Sequence, residues 1–204
     1  MNEIAIKYAK EFISKALALR DSHQKEDILR YNQASYLKLM FDPDTKWVRD
    51  HIDGSEKSVH LIRGNRHVVG FVDNCIDSIA IEYEKDLRVQ TIFDEGFRQV
   101  KEYCASLVRD HVDINMIIGI LSDTLSWHVY SVNPTPGLPV ESYNEGNIEL
   151  IEIDRLDIKK PSDKEALLLL DFLPKYLGRI ESRFVTGENL YKDFGLTSEY
   201  STPY

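Results

Sequence analysis

Apolar residues recur every three or four positions along residues 3–20, at Ile4, Tyr8, Phe12, Ala16 and Leu19, which is the period of an amphipathic helix. A second helical stretch over 26–40 carries Ile28, Leu29, Tyr36, Leu37 and Met40. The DPDT segment at 42–45 ends it, because a residue before proline is pushed out of the helical region. Residues 46–66 are polar and broken by Gly54 and Gly64, a pattern of short elements and loops. The period then changes. HVVGFVD at 67–73 is rich in β-branched and aromatic residues and predicts a strand with a bend or bulge at Gly70. After a turn over NCID, SIAIEYE at 78–84 predicts the next strand. Helical spacing returns with Phe93, Phe97, Val100, Cys104 and Leu107, so a helix over 93–108 packs on that sheet.

Two further strands, 117–121 and 127–132, are separated by SDTLS as in a hairpin, and the NPTPG run at 133–137 is a turn. IELIEI at 148–153 alternates apolar and acidic residues and predicts an edge strand with one wet face. A last helix opens at Ser162, with Glu165 three residues on as in a capping box, and Pro174 kinks or ends it. The remainder of the chain has helix-like and loop-like pieces. The predicted class is α/β, a mixed central sheet flanked by helices. Its organisation is a core domain over 1–160 and a helical C-terminal extension over 161–204.

Composition narrows the function classes. A 204-residue chain with 43% hydrophobic and 29% charged residues is an ordinary globular sequence long enough to bury one core. Its longest apolar runs, IIGIL and ALLLL, are far short of the roughly 20 residues that cross a bilayer. Charges interrupt the first twenty residues, so no secretory h-region is expected and the address is cytoplasmic, with no membrane contact. Cys75 and Cys104 lack metal-ligand spacing, the six histidines form no ligand pair, and both thiols are expected free and buried. Any metal must therefore be held by oxygen. No GxxxxGK loop is present for a nucleotide-driven motor. The net charge of −9 works against nucleic-acid binding unless the acids serve a metal site or the chain is one module of a larger polypeptide.

Chemistry concentrates between Asp73 and Tyr103. On a strand, Glu82 and Glu84 share a face with Ala80, while Ile79, Ile81 and Tyr83 share the other. Asp73 ends the preceding strand, at hairpin distance from Glu82. Three converging carboxylates repel one another unless a cation sits among them, and Mg²⁺ or Mn²⁺, with their preference for oxygen, are the natural candidates. Gln99 and Tyr103 are four residues apart and so lie on one face of the following helix.

Asp73, the Glu82-Tyr83-Glu84 triplet and the Gln99-Val-Lys-Glu-Tyr103 helix together resemble the core of the PD-(D/E)XK nucleases, in the branch that carries a QxxxY motif. The resemblance implies a restriction-endonuclease-like core that hydrolyses DNA phosphodiesters with Mg²⁺ or Mn²⁺. Asp73, Glu82 and Glu84 would be metal ligands and catalytic groups, Lys85 an assisting cation, and Gln99 and Tyr103 positioning residues. Glu84 stands where the family usually has lysine, although some members use a second glutamate there; Lys85 falls one residue late and on the other face. A fourth acid is expected from the N-terminal helices, either Glu11 or Glu26. Weaker likeness over residues 60–195 is to the N-terminal nuclease-type module of restriction–modification or phage-defence polypeptides that carry an adenine methyltransferase further along. DNA, other domains or subunits of such a system, and a homodimeric state are the partners implied. The alternative is an inactive DNA-binding or assembly module with the same fold. Asp157-Ile-Lys159 reads as a solvated strand end, Asn133-Pro-Thr-Pro as a turn, and Trp127 and Tyr130 as packing rather than a base-stacking surface.

Overall fold

A computed structural model describes residues 3–22, 26–53, 57–64, 66–76 and 78–178. The predicted tail pieces beyond 178 lie outside the described residues. The order of elements is α1 (Glu3–Asp21), α2 (Glu26–Met40), α3 (Lys46–Asp53), β1 (Lys57–Arg63), β2 (Arg66–Val72), β3 (Asn74–Ile76), β4 (Ile79–Tyr83), α4 (Gln90–Arg109), β5 (Ile118–Ser122), β6 (Ser126–Pro134), β7 (Ile148–Asp157) and α5 (Asp163–Leu177).

The main sheet has the order β3-β4-β5-β6-β7. β4 and β5 run parallel, joined by the α4 crossover, and every other neighbouring pair is antiparallel. The sheet is therefore mixed, and β7 is an edge strand. β1 and β2 form a separate two-stranded hairpin that leads into β3. Strand parity divides the core in two. Ile79, Ile81, Tyr83, Ile118, Ile120, Trp127 and Val129 face a layer built from α1, α2, α3 and α5. Ala80, Leu121 and Tyr130 face α4 and the inner side of the hairpin through Val100, Tyr103, Cys104, Leu61 and Val72. Because α5 contributes Ala166, Leu169, Phe172 and Leu173 to the first layer beside Phe12 and Ile13 of α1, it shares that layer's core.

Several predicted features come out differently. The short elements expected over 46–66 are a helix, α3, and a strand, β1, whose types the sequence pattern leaves open. Trp47, Val48, His51 and Ile52 give α3 a single inward stripe, and Val59 and Leu61 alternate inward on β1. NCI at 74–76 is a strand rather than a turn, paired with β4. Gly70 is not a bulge, since the β1–β2 register is unbroken; it makes room for Leu61, whose Cδ1 would lie 2.3 Å from a Cβ at that position. Ser162 caps α5 as expected by accepting from the Glu165 amide, but Pro174 does not end the helix, which continues to Leu177. No described helix is long and apolar enough to cross a membrane.

Candidate functional site

β3 and β4 are paired so that Asn74 faces Ile81 and Cys75 faces Ala80; one more step of that register puts Asp73 opposite Glu82. Asp73 sits at the bend where β2 ends, and its Oδ2 accepts the Tyr83 amide at 2.9 Å. This bond takes the place of a strand-ladder bond, so the carboxylate is fixed by the main chain of the strand that carries Glu82. Both acids are buried, Asp73 at 8% exposure and Glu82 at 5%.

α4 crosses this pair on the side that strand parity assigns to Glu82. Tyr103 is 4% exposed and donates from its hydroxyl to the Phe71 carbonyl at 2.8 Å. Its phenol is pushed well above the ordinary tyrosine range, first by burial and then by the negative charge of Glu82, with Asp73 adding to it. A side-chain hydrogen bond from Gln99 works in the opposite sense. The electrostatics thus bring Asp73, Glu82, Gln99 and Tyr103 into one neighbourhood.

Glu84 extends the parallel pairing of β4 by donating its amide to the Ser122 carbonyl at 2.9 Å. Its side chain lies over Gly96 of α4, where a Cβ would come within 2.9 Å of the Glu84 Cγ and 2.6 Å of the Leu121 Cδ1. A glycine at this point of α4 is therefore what lets the glutamate lie down between strand and helix. Lys85 is exposed at the bend that follows. The expected set of three carboxylate ligands is not gathered as such: among the described residues no three His, Cys, Asp or Glu side chains are arranged to hold one metal ion. Glu11, one of the two candidates for a fourth acid, lies elsewhere, on the exposed side of α1 near Lys7 and in a groove with Pro161 and Asp163. The side chain of Glu26, the other candidate, lies outside the described residues.

The donors that remain fit a hard divalent cation held in a less demanding way. Asp73 and Glu82 are adjacent, buried and all-oxygen, and Mg²⁺ commonly takes one or two carboxylates and completes its shell with water.

Two buried polar clusters escape a reading of the sequence. On the far face of the sheet the Tyr83 hydroxyl accepts from Gln33 Nε2 at 2.8 Å and lies 3.2 Å from His51 Nε2, while Asn74 Nδ2 donates to the His51 carbonyl at 2.7 Å. Burial lowers the His51 pKa to about 4, so this ring is neutral. The signal available in the sequence was a polar residue at an inward helical position, Gln33 four before Leu37 and His51 three after Val48. The second cluster lies beyond the C-terminal ends of β4 and β5. Asp123, fully buried, accepts from the Leu87, Leu125 and Ser126 amides and lies 3.4 Å from Arg20 Nη1, tying the last turn of α1 to both loops. The neighbouring Asp86 is held below the ordinary carboxylate range by its hydrogen bonds to Arg88, against the opposing effect of burial.

Of the readings set against catalysis, the turn at Asn133-Pro-Thr-Pro is corrected in part: Asn133 and Pro134 still belong to β6, paired with Glu149 and Ile148, and the turn falls at 136–137. Trp127 and Tyr130 are buried, and Asp157 is exposed and paired with Arg155 at the end of β7. Cys104 is buried and its thiol pushed up by burial, whereas Cys75, also expected buried, is only half-buried; both are free. No family model, curated protein or solved structure matches the chain.

Proposed function

We propose that this chain is a metal-dependent DNA endonuclease module of the PD-(D/E)XK type, hydrolysing phosphodiester bonds within a restriction–modification-type system in the cytoplasm. The observation that supports it best is the juxtaposition of Asp73 and Glu82 across the β3–β4 pair, with the Gln99–Tyr103 pair of α4 against them. The parallel β4–α4–β5 crossover is the connection that this reading requires. Asp73 and Glu82 hold Mg²⁺ or Mn²⁺, which when bound supplies an activated water and neutralises charge on the phosphate. Asp73 is aimed by the Tyr83 amide, and Gln99 orients the Tyr103 phenol, which stays protonated and able to donate. Glu84, in the usual lysine position, contributes a proton-accepting carboxylate at the edge of the pair rather than a third ligand. Lys85, exposed, meets the phosphate backbone. The partners on this reading are DNA and the further domains or subunits of a larger polypeptide, and a homodimer would bring two sites to two strands.

Supercoiled DNA with Mn²⁺ tests the proposal. The chain should nick or linearise it, and Asp73→Asn, which retains an acceptor for the Tyr83 amide, should lower the rate at least on the order of a hundredfold without loss of fold. Undiminished cutting by Asp73→Asn would sink the assignment.

A second reading is favoured by one feature. Glu84, which packs against Gly96, stands in the place of the usual lysine, and Lys85 is exposed. On that reading the fold is an inactive DNA-binding or assembly module. Calorimetry separates the two, since millimolar Mn²⁺ should give heat that Asp73→Asn removes if the first is right, and none if the second is.

A further inference from the structure

β4 and β5 run parallel, so their C-terminal ends meet at one edge of the sheet, the edge where Asp73 stands opposite Glu82. The loops that leave the two strands there are tied to each other twice. Ser122, the last residue of β5, accepts the Glu84 amide through its carbonyl at 2.9 Å, and Asp123 accepts the Leu87 amide through Oδ2 at 3.1 Å. Between the two ties lie only Lys85 and Asp86. Asp86 is 6% exposed and held by the Arg88 side chain through both oxygens, at 2.9 Å each. Lys85 is the exposed member of this arch, three positions beyond Glu82.

Asp123 does more than cap its own turn. Its Oδ1 accepts the Leu125 and Ser126 amides, at 3.1 and 2.7 Å, which is what the turn between β5 and β6 needs. Its Oδ2 reaches across to the Leu87 amide, with Arg20 Nη1 behind it at 3.4 Å. The turn itself is kept in a strained shape. Thr124, a β-branched residue, has a φ of 72°, in the left-handed region. Its amide donates to Ser122 Oγ at 2.9 Å and its carbonyl accepts from Trp127 Nε1 at 3.0 Å. Strain of this kind persists only where the surroundings over-determine the backbone, and it collects at functional sites. The side chain that this turn fixes, fully buried, is Asp123.

We infer that Asp123 is a positioning residue: by fixing the Leu87 amide it sets the bend at Lys85 and brings that ammonium to the phosphate beside Asp73 and Glu82. The inference rests on the function proposed above. Strand alternation would turn a lysine one residue late to the face opposite Glu84, but β4 ends at Tyr83 and the alternation ends with it. An arch pinned at both ends gives the Lys85 side chain a defined starting point. Such placement matters, since groups displaced by about 1 Å can cost on the order of a hundredfold in rate.

A double-mutant cycle tests the role. Asp123→Asn keeps one acceptor oxygen for the turn and sets an NH₂ against the Leu87 amide, so it should release the arch and leave the turn. Amide exchange at Leu87 should speed up on the order of tenfold while Leu125 and Ser126 keep their protection. With Mn²⁺ and supercoiled DNA, Lys85→Met should lower kcat/KM on the order of a hundredfold and Asp123→Asn on the order of tenfold. Mn²⁺ affinity by calorimetry should not change, and Asp123→Asn added to Lys85→Met should lower kcat/KM no further. A glycine inserted after Lys85 lengthens the arch without touching Asp123, and should act like Asp123→Asn even where that variant fails to fold. Losses that multiply in the double variant would assign Asp123 to the fold alone and overturn the inference, as would an arch variant that cuts at the full rate. If the unchanged chain does not cut DNA, the nuclease reading falls and this role of Asp123 with it; if it cuts and the losses multiply, only the role of Asp123 falls.

Discussion

His51 shows how one buried side chain can set the pH limits of the fold. It is 4% exposed, and burial lowers its pKa from 6.5 to about 4, so the unfolded chain takes up a proton more readily than the native one. The contribution of the neutral ring is complete above pH 6.5 and is lost as pH falls from there toward 4, a change of about 3 kcal/mol at most. Urea unfolding across that range should show a falling midpoint, and His51→Gln should flatten the slope; an unchanged slope in the variant would assign the acid sensitivity elsewhere. Legibility at this scale followed strand and helix parity. Glu82 with Glu84, and Gln99 with Tyr103, could be placed on common faces because each pair belongs to a single element. His51 could not be placed, since its hydroxyl partner Tyr83 is 32 residues away and its meaning depends on packing that no local period encodes.

Elements are joined here by a few charged contacts at buried points. Glu102 of α4, 2% exposed, binds Arg63 of β1 through both oxygens and Arg98 one turn back on its own helix. It is a main fastening of the hairpin to the sheet domain, because β1 and β2 pair only with each other. Glu102→Ala should cost about 2 kcal/mol and, locally, speed amide exchange over 58–63 and 66–72 on the order of thirtyfold. β4 and β5 should keep their protection, and a uniform rise across all strands would show that the pair supports global rather than local stability. The long elements were legible because their periods run for many residues, as in α1, α4 and β7. α3, with eight residues, is given no type by the sequence and β3, with three, is misread as a turn, because so few positions carry the pattern and both depend on partners far along the chain. Gly70 illustrates the same limit: composition suggests a bulge, but only the Leu61 side chain across the hairpin shows that the glycine yields space.

For the molecule as a whole, α5 is part of the first hydrophobic layer, with Ala166, Leu169, Leu170, Phe172, Leu173, Tyr176 and Leu177 all buried. Burial of even a few such side chains, at about 1.5–3 kcal/mol each, is comparable with the entire stability of a domain. A chain ending at residue 160 should therefore lose cooperative thermal unfolding, and a sharp calorimetric transition in that fragment would show that the layer closes without α5. The overall class, a mixed sheet between helices, could be read from the alternation of periods; the division of the core into two layers could not, because it depends on which helix meets which face. Tyr83 belongs to both sides of that division. Its amide holds Asp73 on one side of the sheet, and its hydroxyl meets Gln33 and His51 of α2 and α3 on the other. The sheet is therefore not an insulating wall: whatever tilts α3 against α2 pulls on the ring of Tyr83, and the same residue carries that pull through to the carboxylate.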